Sequence, residues 1–278
     1  MFAQKVFSNI FGKIFIFIML LITVYPIVWL ILSSFKNPSE FSNPMYALPS
    51  GVHFQNYIDA WTIGNMGTYF QNSIFVTFPS LFLILMFGAA TAFAIEKMKW
   101  KLNNTILLVF LGGIMIPMQI VLLPLFTIYH QTGLLNNLLG LIIVYIAFGL
   151  PLTIFLFTGY YKTLPNELIE AAIMDGANIY QIFFKISIPL IINSFVSIAL
   201  VQFFFVWNDL IFAMTFISDS ELRTIQTGLI NFTGEYGQRE WGGPTFASIS
   251  LAIIPTLILY LILNKLVMKG MTSGAVKG

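Results

Sequence analysis

Apolar residues along this chain gather into six long runs, separated by short clusters of Gly, Pro, Asn and charge. A helix crossing a bilayer needs roughly 20 mostly apolar residues. Runs of that order occupy residues 13–32, 70–95, 105–128, 138–160, 188–212 and 246–267. Each is expected to be a transmembrane helix. The first follows Lys5 and Lys13, as a signal peptide would. Its apolar stretch exceeds the ~7–15 residues of a signal core, and no small-x-small cleavage site follows, so a retained anchor helix is expected. Two connections are long. Residues 33–69 carry Pro38, Pro44, Pro49 and Gly51, which break any regular element, and residues 218–245 carry Trp241-Gly242-Gly243-Pro244. Tyr57, Trp61 and Trp241 fit aromatic anchors at a membrane surface.

Composition agrees with the pattern. The 278 residues are 58% hydrophobic and 9% charged, with a mean hydropathy of +0.88. Water-soluble domains carry about 25% charged residues, so lipid must solvate most of this surface. A net charge of +2 makes no case for nucleic acid, and the absence of cysteine excludes disulfides, thiolate metal sites and cysteine nucleophiles. His53 and His130 are lone residues with no neighbouring ligand set.

Charge placement orients the bundle. With the N-terminus inside, ten of the thirteen basic residues fall on the cytoplasmic side: Lys5, Lys13, Lys97, Lys99, Lys101, Lys162, Lys185, Lys265, Lys269 and Lys277. Only Lys36, Arg223 and Arg239 fall outside. The excess of cytoplasmic Lys and Arg is the usual topology signal, so both termini and residues 161–187 are expected in the cytoplasm. The chain divides into an N-terminal helix with its long outer loop (1–69), a five-helix core (70–267) and a cytoplasmic tail (268–278).

The polar island at 161–187 is the most informative stretch. Leu164-Pro165-Asn166-Glu167 is a helix-start signal, because proline suits the first turn and an early Glu complements the helix dipole. Thr163 is a candidate cap. The helix is expected to run to Asp175 and to end at Gly176, which readily adopts the left-handed conformation. Asn178 then caps a second helix that continues through Lys185 toward Pro189. Leu168, Ile169, Ala172 and Ile173 form an apolar stripe edged by Glu167, Glu170 and Asp175. Ala171 and Ala172 are small enough to let another protein approach the backbone. Helices that rest on headgroups are rich in Lys and Arg, whereas this one is acidic.

The spacing is specific. Glu170-Ala171-Ala172, three residues, Gly176, nine residues, then Ile186-Ser187-Ile188-Pro189 resembles the EAA loop of ABC-importer permeases, with Ile188 in place of the usual Leu. Asn72-Ser73, Pro117-Met118-Gln119, Trp207-Asn208-Asp209 and the tail 274–278 extend the likeness. They resemble the permeases of the oligosaccharide-uptake branch, similar to the smaller membrane subunit of maltose-type transporters. The resemblance implies an all-α, six-helix, type I (MetI-like) permease with a cytoplasmic coupling helix. On it, Glu167, Glu170, Ala171, Ala172, Asp175, Gly176 and Pro189 would couple to an ATPase. It further implies a second, homologous permease subunit, a dimeric cytoplasmic ATPase, an extracytoplasmic solute-binding protein and a sugar substrate. The setting would be a bacterial inner membrane. No Gly-x4-Gly-Lys-Ser/Thr loop is present. ATP and Mg2+ are therefore expected in the partner ATPase, with no cofactor and no catalysis here.

Polar residues inside the runs are candidates for the translocation path or gate: Asn72, Gln119, Trp207, Asn208 and Asp209. A carboxylate in hydrocarbon costs at least ~2.5–3.5 kcal/mol, so it faces a cavity or a partner. Asp209 has two readings, a path residue offering acceptors to sugar hydroxyls or a structural carboxylate at a helix break. Asn72 is also readable as a cap, and the phenylalanines at 203–205 as packing. An ion-gradient-driven secondary transporter is the alternative function. Such transporters often carry inverted repeats, and no repeat is visible here.

Overall fold

The computed structural model describes residues 2–42, 44, 46–98, 100–235 and 242–275. Lys99, Arg239, Trp241 and residues 276–278 of the tail, on which parts of the sequence reading rest, lie outside the described residues. The described residues are helical throughout, without a strand: α1 (Phe2–Ser33), α2 (Gln55–Thr62), α3 (Met66–Lys97), α4 (Asn103–Ile114), α5 (Met118–Thr132), α6 (Leu138–Thr163), α7 (Asn166–Met174), α8 (Ile179–Gln181), α9 (Ile188–Leu190), α10 (Ile192–Trp207), α11 (Ile211–Phe216), α12 (Ile225–Glu235) and α13 (Gly243–Ala275). A π turn, Ile182–Ser187, links α8 to α9.

Four helical stretches are long and apolar enough to cross a membrane: Gly12–Ser33, Met66–Lys97, Leu138–Thr163 and Gly243–Ile262. Two more crossings exist only as bent pairs, α4 with α5 at 96° and the α8–α9 segment with α10 at 80°. The runs at 105–128 and 188–212, each read as one crossing, are thus each broken or bent. Pro117 makes the first break, with extended backbone (φ −63°, ψ 128°) at the start of α5. Proline has no N–H and disfavours helix in the residue before it. At the second, Pro189 leaves the carbonyl four residues earlier without its helical donor, and Ile191 leaves helical geometry (φ −104°, ψ 16°).

Contacts divide the chain into two units, residues 1–67 with 229–254, and residues 68–228 with 255–278. In the first, the loop after α1 is more ordered than its prolines predict. Pro38–Ser42 forms a 3-10 turn and α2 follows. Buried Asn56 donates its amide to the carbonyls of Ser34 and Lys36, both at 2.8 Å. Glu40 accepts from the N–H groups of Asn37 (2.7 Å) and Ser50 (2.8 Å), closing the loop on itself.

In the second unit, α3, α6 and α10 share the core. Gly88 of α3 lies so close to Thr153 of α6 that a Cβ there would overlap its methyl group. Small residues at such crossings let membrane helices pack closely. Gln202, buried on α10, donates to the Gly149 carbonyl (3.2 Å) and to Thr153 Oγ1 (2.9 Å), tying α10 to α6.

Candidate docking helix and intramembrane polar site

Sequence and structure agree on how α7 begins and ends, with one exchange of partner. The chain leaves α6 at Leu164 and turns through Pro165, both extended (ψ 130° and 134°). Pro165 precedes the first helical residue without a side-chain cap. Thr163, expected to cap α7, instead donates its hydroxyl back to the Tyr160 carbonyl at 2.8 Å. At the far end Asp175 caps the helix and Gly176 takes φ 82°. The Ala177 N–H donates to Ala172 O and the Gly176 N–H to Ile173 O, each at 3.0 Å. This is the double-bonded closure that a left-handed residue permits. Nothing lies within 4 Å of a Cβ built on Gly176, so the backbone angle alone demands glycine there. Asn178 and Gln181 then form a reciprocal capping box, both bonds 2.9 Å.

Burial separates the two alanines of the motif. Ile169 and Ala172, only 7% exposed in the latter case, sink into a cluster with Ala92, Phe93, Tyr161, Ile182 and Phe183. Ala172, expected on the docking surface, belongs to this chain's own core. Ala171 is exposed, as are Glu167, Glu170, Asp175 and Gly176. Leu168, Ile173 and Met174 are exposed apolar groups on the same helix, Met174 the most open at 87%. Pro189 is exposed at the start of α9, on the far side of the π turn. The free side of α7 is therefore acidic at its edges and apolar between them.

Lys97, assigned by the sequence reading to topology alone, reaches the base of α7. Its Nζ donates to the Leu164 carbonyl (2.7 Å) and to Asn166 Oδ1 (2.8 Å). A groove of about 280 Å³ runs beside it, lined by Glu96, Lys97, Asn166, Ile169, Glu170 and Ile173.

The second group of candidates lies on α3, on α5 and around the gap between α10 and α11. The break expected at Trp207-Asn208-Asp209 is present, since α10 stops at Trp207 and α11 begins at Ile211. Asp209 accepts from Tyr145 Oη (2.7 Å), from the Phe212 N–H (3.3 Å) and from the Ala213 N–H (3.0 Å). These bonds tie the carboxylate to α6 and to the start of α11. Trp207 is buried, stacked on Phe203 at 5.5 Å and edge-on to Phe70 at 5.7 Å, so it offers no open ring. Asn208 is exposed. Its amide donates to Phe204 O (3.0 Å), and its carbonyl accepts from Gln226 at 3.4 Å. Asn72 is not a cap of its own helix. It donates to the carbonyls of Glu221 (2.8 Å) and Arg223 (3.0 Å), while Ser73 Oγ accepts from the Ile225 N–H at 2.8 Å. Gln119 is exposed one residue into α5, just past the Pro117 break. Asn72 and Asn208 both bond the segment 221–226 and Trp207 touches Phe70, so these candidates share one neighbourhood with Asp209.

Tyr145 and Lys97 were missed as partners of these groups. A lone hydroxyl aromatic inside an apolar run was the available signal for Tyr145.

Comparison with known proteins places this geometry. Residues 84–273 match the family described as "Binding-protein-dependent transport system inner membrane component". The chain is 34% identical over 265 residues to the probable ABC transporter permease protein YurM of Bacillus subtilis, covering 95% of this chain and 87% of that one. It is 33% identical to the multiple sugar-binding transport system permease protein MsmG of Streptococcus mutans (96% and 94% covered). It is 31% identical to the melibiose/raffinose/stachyose import permease protein MelC of B. subtilis (91% and 91% covered). The fold superimposes, with a TM-score of 0.82 and 24% identity, on a chain of a bacterial ABC transporter involved in the import of the acidic polysaccharide alginate, over 95% of this chain and 97% of that one. The chain is a multi-pass membrane protein, and it belongs to the family of inner membrane permease components of binding-protein-dependent ABC importers.

Proposed function

We propose that the chain forms half of the translocation pathway of an ATP-driven importer for a sugar or oligosaccharide. The observation that carries this reading is α7. It is a short acidic helix between two membrane-length segments, with the E-A-A…G spacing and an exposed side bearing Glu170, Ala171 and Met174. That side docks in a cleft of a separate cytoplasmic ATPase, where Glu170 meets a basic residue. Closure of the ATPase dimer around ATP and Mg2+ moves α7, and the bundle rocks between inward- and outward-open states. This chain performs no catalysis. A second permease subunit lines the other half of the pathway, and an extracytoplasmic binding protein delivers solute to the long outer loops. Both termini lie in the cytoplasm of a bacterial cell.

The names of the similar proteins support a carbohydrate substrate, since they speak of multiple sugars and of melibiose, raffinose and stachyose. The substitution Glu170→Lys tests the reading. It is expected to abolish ATP-dependent uptake while membrane abundance stays at the wild-type level. Normal uptake in that variant rejects coupling through α7, and uptake that needs a proton gradient instead of ATP rejects the importer mechanism.

A further inference from the structure

Three lysines follow one another at the cytoplasmic end of α3, and the described pair differ sharply. Lys101 is exposed, whereas Lys97 is half-buried with its ammonium on two acceptors of another element. Those acceptors sit at the elbow between α6 and α7. Leu164 leaves α6 with extended backbone, and Pro165 has no N–H to offer the carbonyls behind it. From α3, Lys97 donates to the Leu164 carbonyl and, with the same ammonium, holds Asn166 at the first turn of α7.

The end of α3 is itself secured. Trp100 Nε1 donates back to the Ala94 carbonyl (2.8 Å), and Asn103 Nδ2 to the Ile95 carbonyl (3.3 Å). On the inner side of α7, Ile169 and Ala172 bury in the cluster that contains Ala92 and Phe93 of α3. The helix is thus packed on α3 along its flank and pinned to it at its root. Without the pin, the Leu164–Pro165 elbow is two extended residues whose ψ torsions can absorb a displacement, since the proline ring fixes only φ.

We propose that Lys97 is a positioning residue for energy coupling: its ammonium pins the root of α7 to α3, so that displacement of α7 is delivered to α3 instead of being taken up at the elbow. The inference rests on the coupling function proposed for α7. A lysine that only marked topology would tolerate any change that left the protein inserted. A pin requires both the charge and the donors.

The test uses the complete transporter purified with its ATPase in proteoliposomes. The natural chain has no cysteine, so Ser218→Cys, an exposed outer residue, serves as the reporter. Its alkylation by a membrane-impermeant maleimide is timed with and without ATP, Mg2+ and vanadate. In the otherwise wild-type complex, nucleotide trapping changes the rate. With Lys97→Met, the ATPase still co-purifies, but the nucleotide-dependent change in rate shrinks about tenfold, as expected for loss of a charge-assisted contact. Lys97→Arg restores most of the response, and Asn166→Ala, which removes one acceptor, gives an intermediate loss. A wild-type response in Lys97→Met overturns the proposal. So does loss of ATPase co-purification in step with the response, which makes Lys97 part of the fold or the docking face. If the unsubstituted reporter complex shows no nucleotide response, the coupling function itself fails, independently of Lys97.

Discussion

Tyr145 and Asp209, 64 positions apart in sequence, meet through a 2.7 Å hydrogen bond from the phenol to Oδ2. The bond joins the middle of α6 to the gap between α10 and α11. There the same carboxylate also receives two backbone N–H groups at the start of α11. A break inside a membrane helix strands donors and acceptors that lipid cannot satisfy. One carboxylate and one phenol resolve this break. Hydrogen bonds to charged groups contribute about 1.5–3 kcal/mol in soluble proteins, whereas interhelical bonds measured inside a membrane average about 0.6 kcal/mol. Tyr145 is fully buried, and the carboxylate it serves keeps only backbone donors once the phenol is gone. Tyr145→Phe is therefore expected to cost about 1–2 kcal/mol, between those limits. Asp209→Ala should cost more, because it also uncaps α11. Thermal unfolding of the purified complex in detergent checks the order, and equal stability of Tyr145→Phe and wild type contradicts it.

Gly176→Ala isolates a backbone effect. The site has open space for a methyl group but a φ of 82°. An L-residue pays about 1–2 kcal/mol for that conformation. The closure of α7 should loosen, shifting its free side against the ATPase. ATPase co-purification and uptake are expected to fall together. Gly159→Ala, also with open space and with no unusual φ, should leave both unchanged.

The paired alanines separate docking from folding. Ala172→Leu forces a larger side chain into a packed cluster, and overpacking costs typically 1–3 kcal/mol. It should lower membrane abundance. Ala171→Leu changes only an exposed position, so abundance should hold while ATPase binding weakens. Immunoblots of membranes and pull-downs with the ATPase read the two effects. Identical behaviour of the two variants would show that the assignment of faces on α7 is mistaken.

The loop after α1 carries a pH dependence. Bonds from Ser50, its side chain foremost, and from the Asn37 N–H hold the Glu40 carboxyl below its usual value. A lowered folded-state value means that the loop's stabilisation is present above the ordinary carboxylate range and is lost as pH falls through the folded value. Protection from hydrogen exchange at residues 37–50, taken relative to the intrinsic rate at each pH, should therefore fall on acidification, over a window that ends below the usual carboxylate pKa. In Glu40→Gln the protection should already be lowered at neutral pH and should not change with acid.

Much of the fold was legible because its signals are local. Six apolar runs, the helix start at Pro165, the turn at Gly176 and the cap at Asn178 each depend on a few neighbouring residues. Even the interruption at Trp207-Asn208-Asp209 was marked by a charge inside an apolar run. The order in the loop after α1 was not legible, because Asn56 stabilises it across more than twenty residues. Nor was the sharpness of the break at Pro117. A proline announces a lost hydrogen bond, while the 96° angle depends on what α4 and α5 pack against.

The sequence by itself determined that the chain is a lipid-solvated helical bundle, and it placed an E-A-A…G motif edged by acidic residues between two spans. Hydropathy and the spacing of a motif survive without knowledge of distant contacts. Only the tertiary structure decided which alanine of that motif faces outward, which tyrosine meets Asp209, and that a lysine suited to topology also bonds the base of α7 from α3. Those outcomes rest on pairings between residues tens of positions apart. The pairing is set by how helices cross, and a linear pattern carries no record of it.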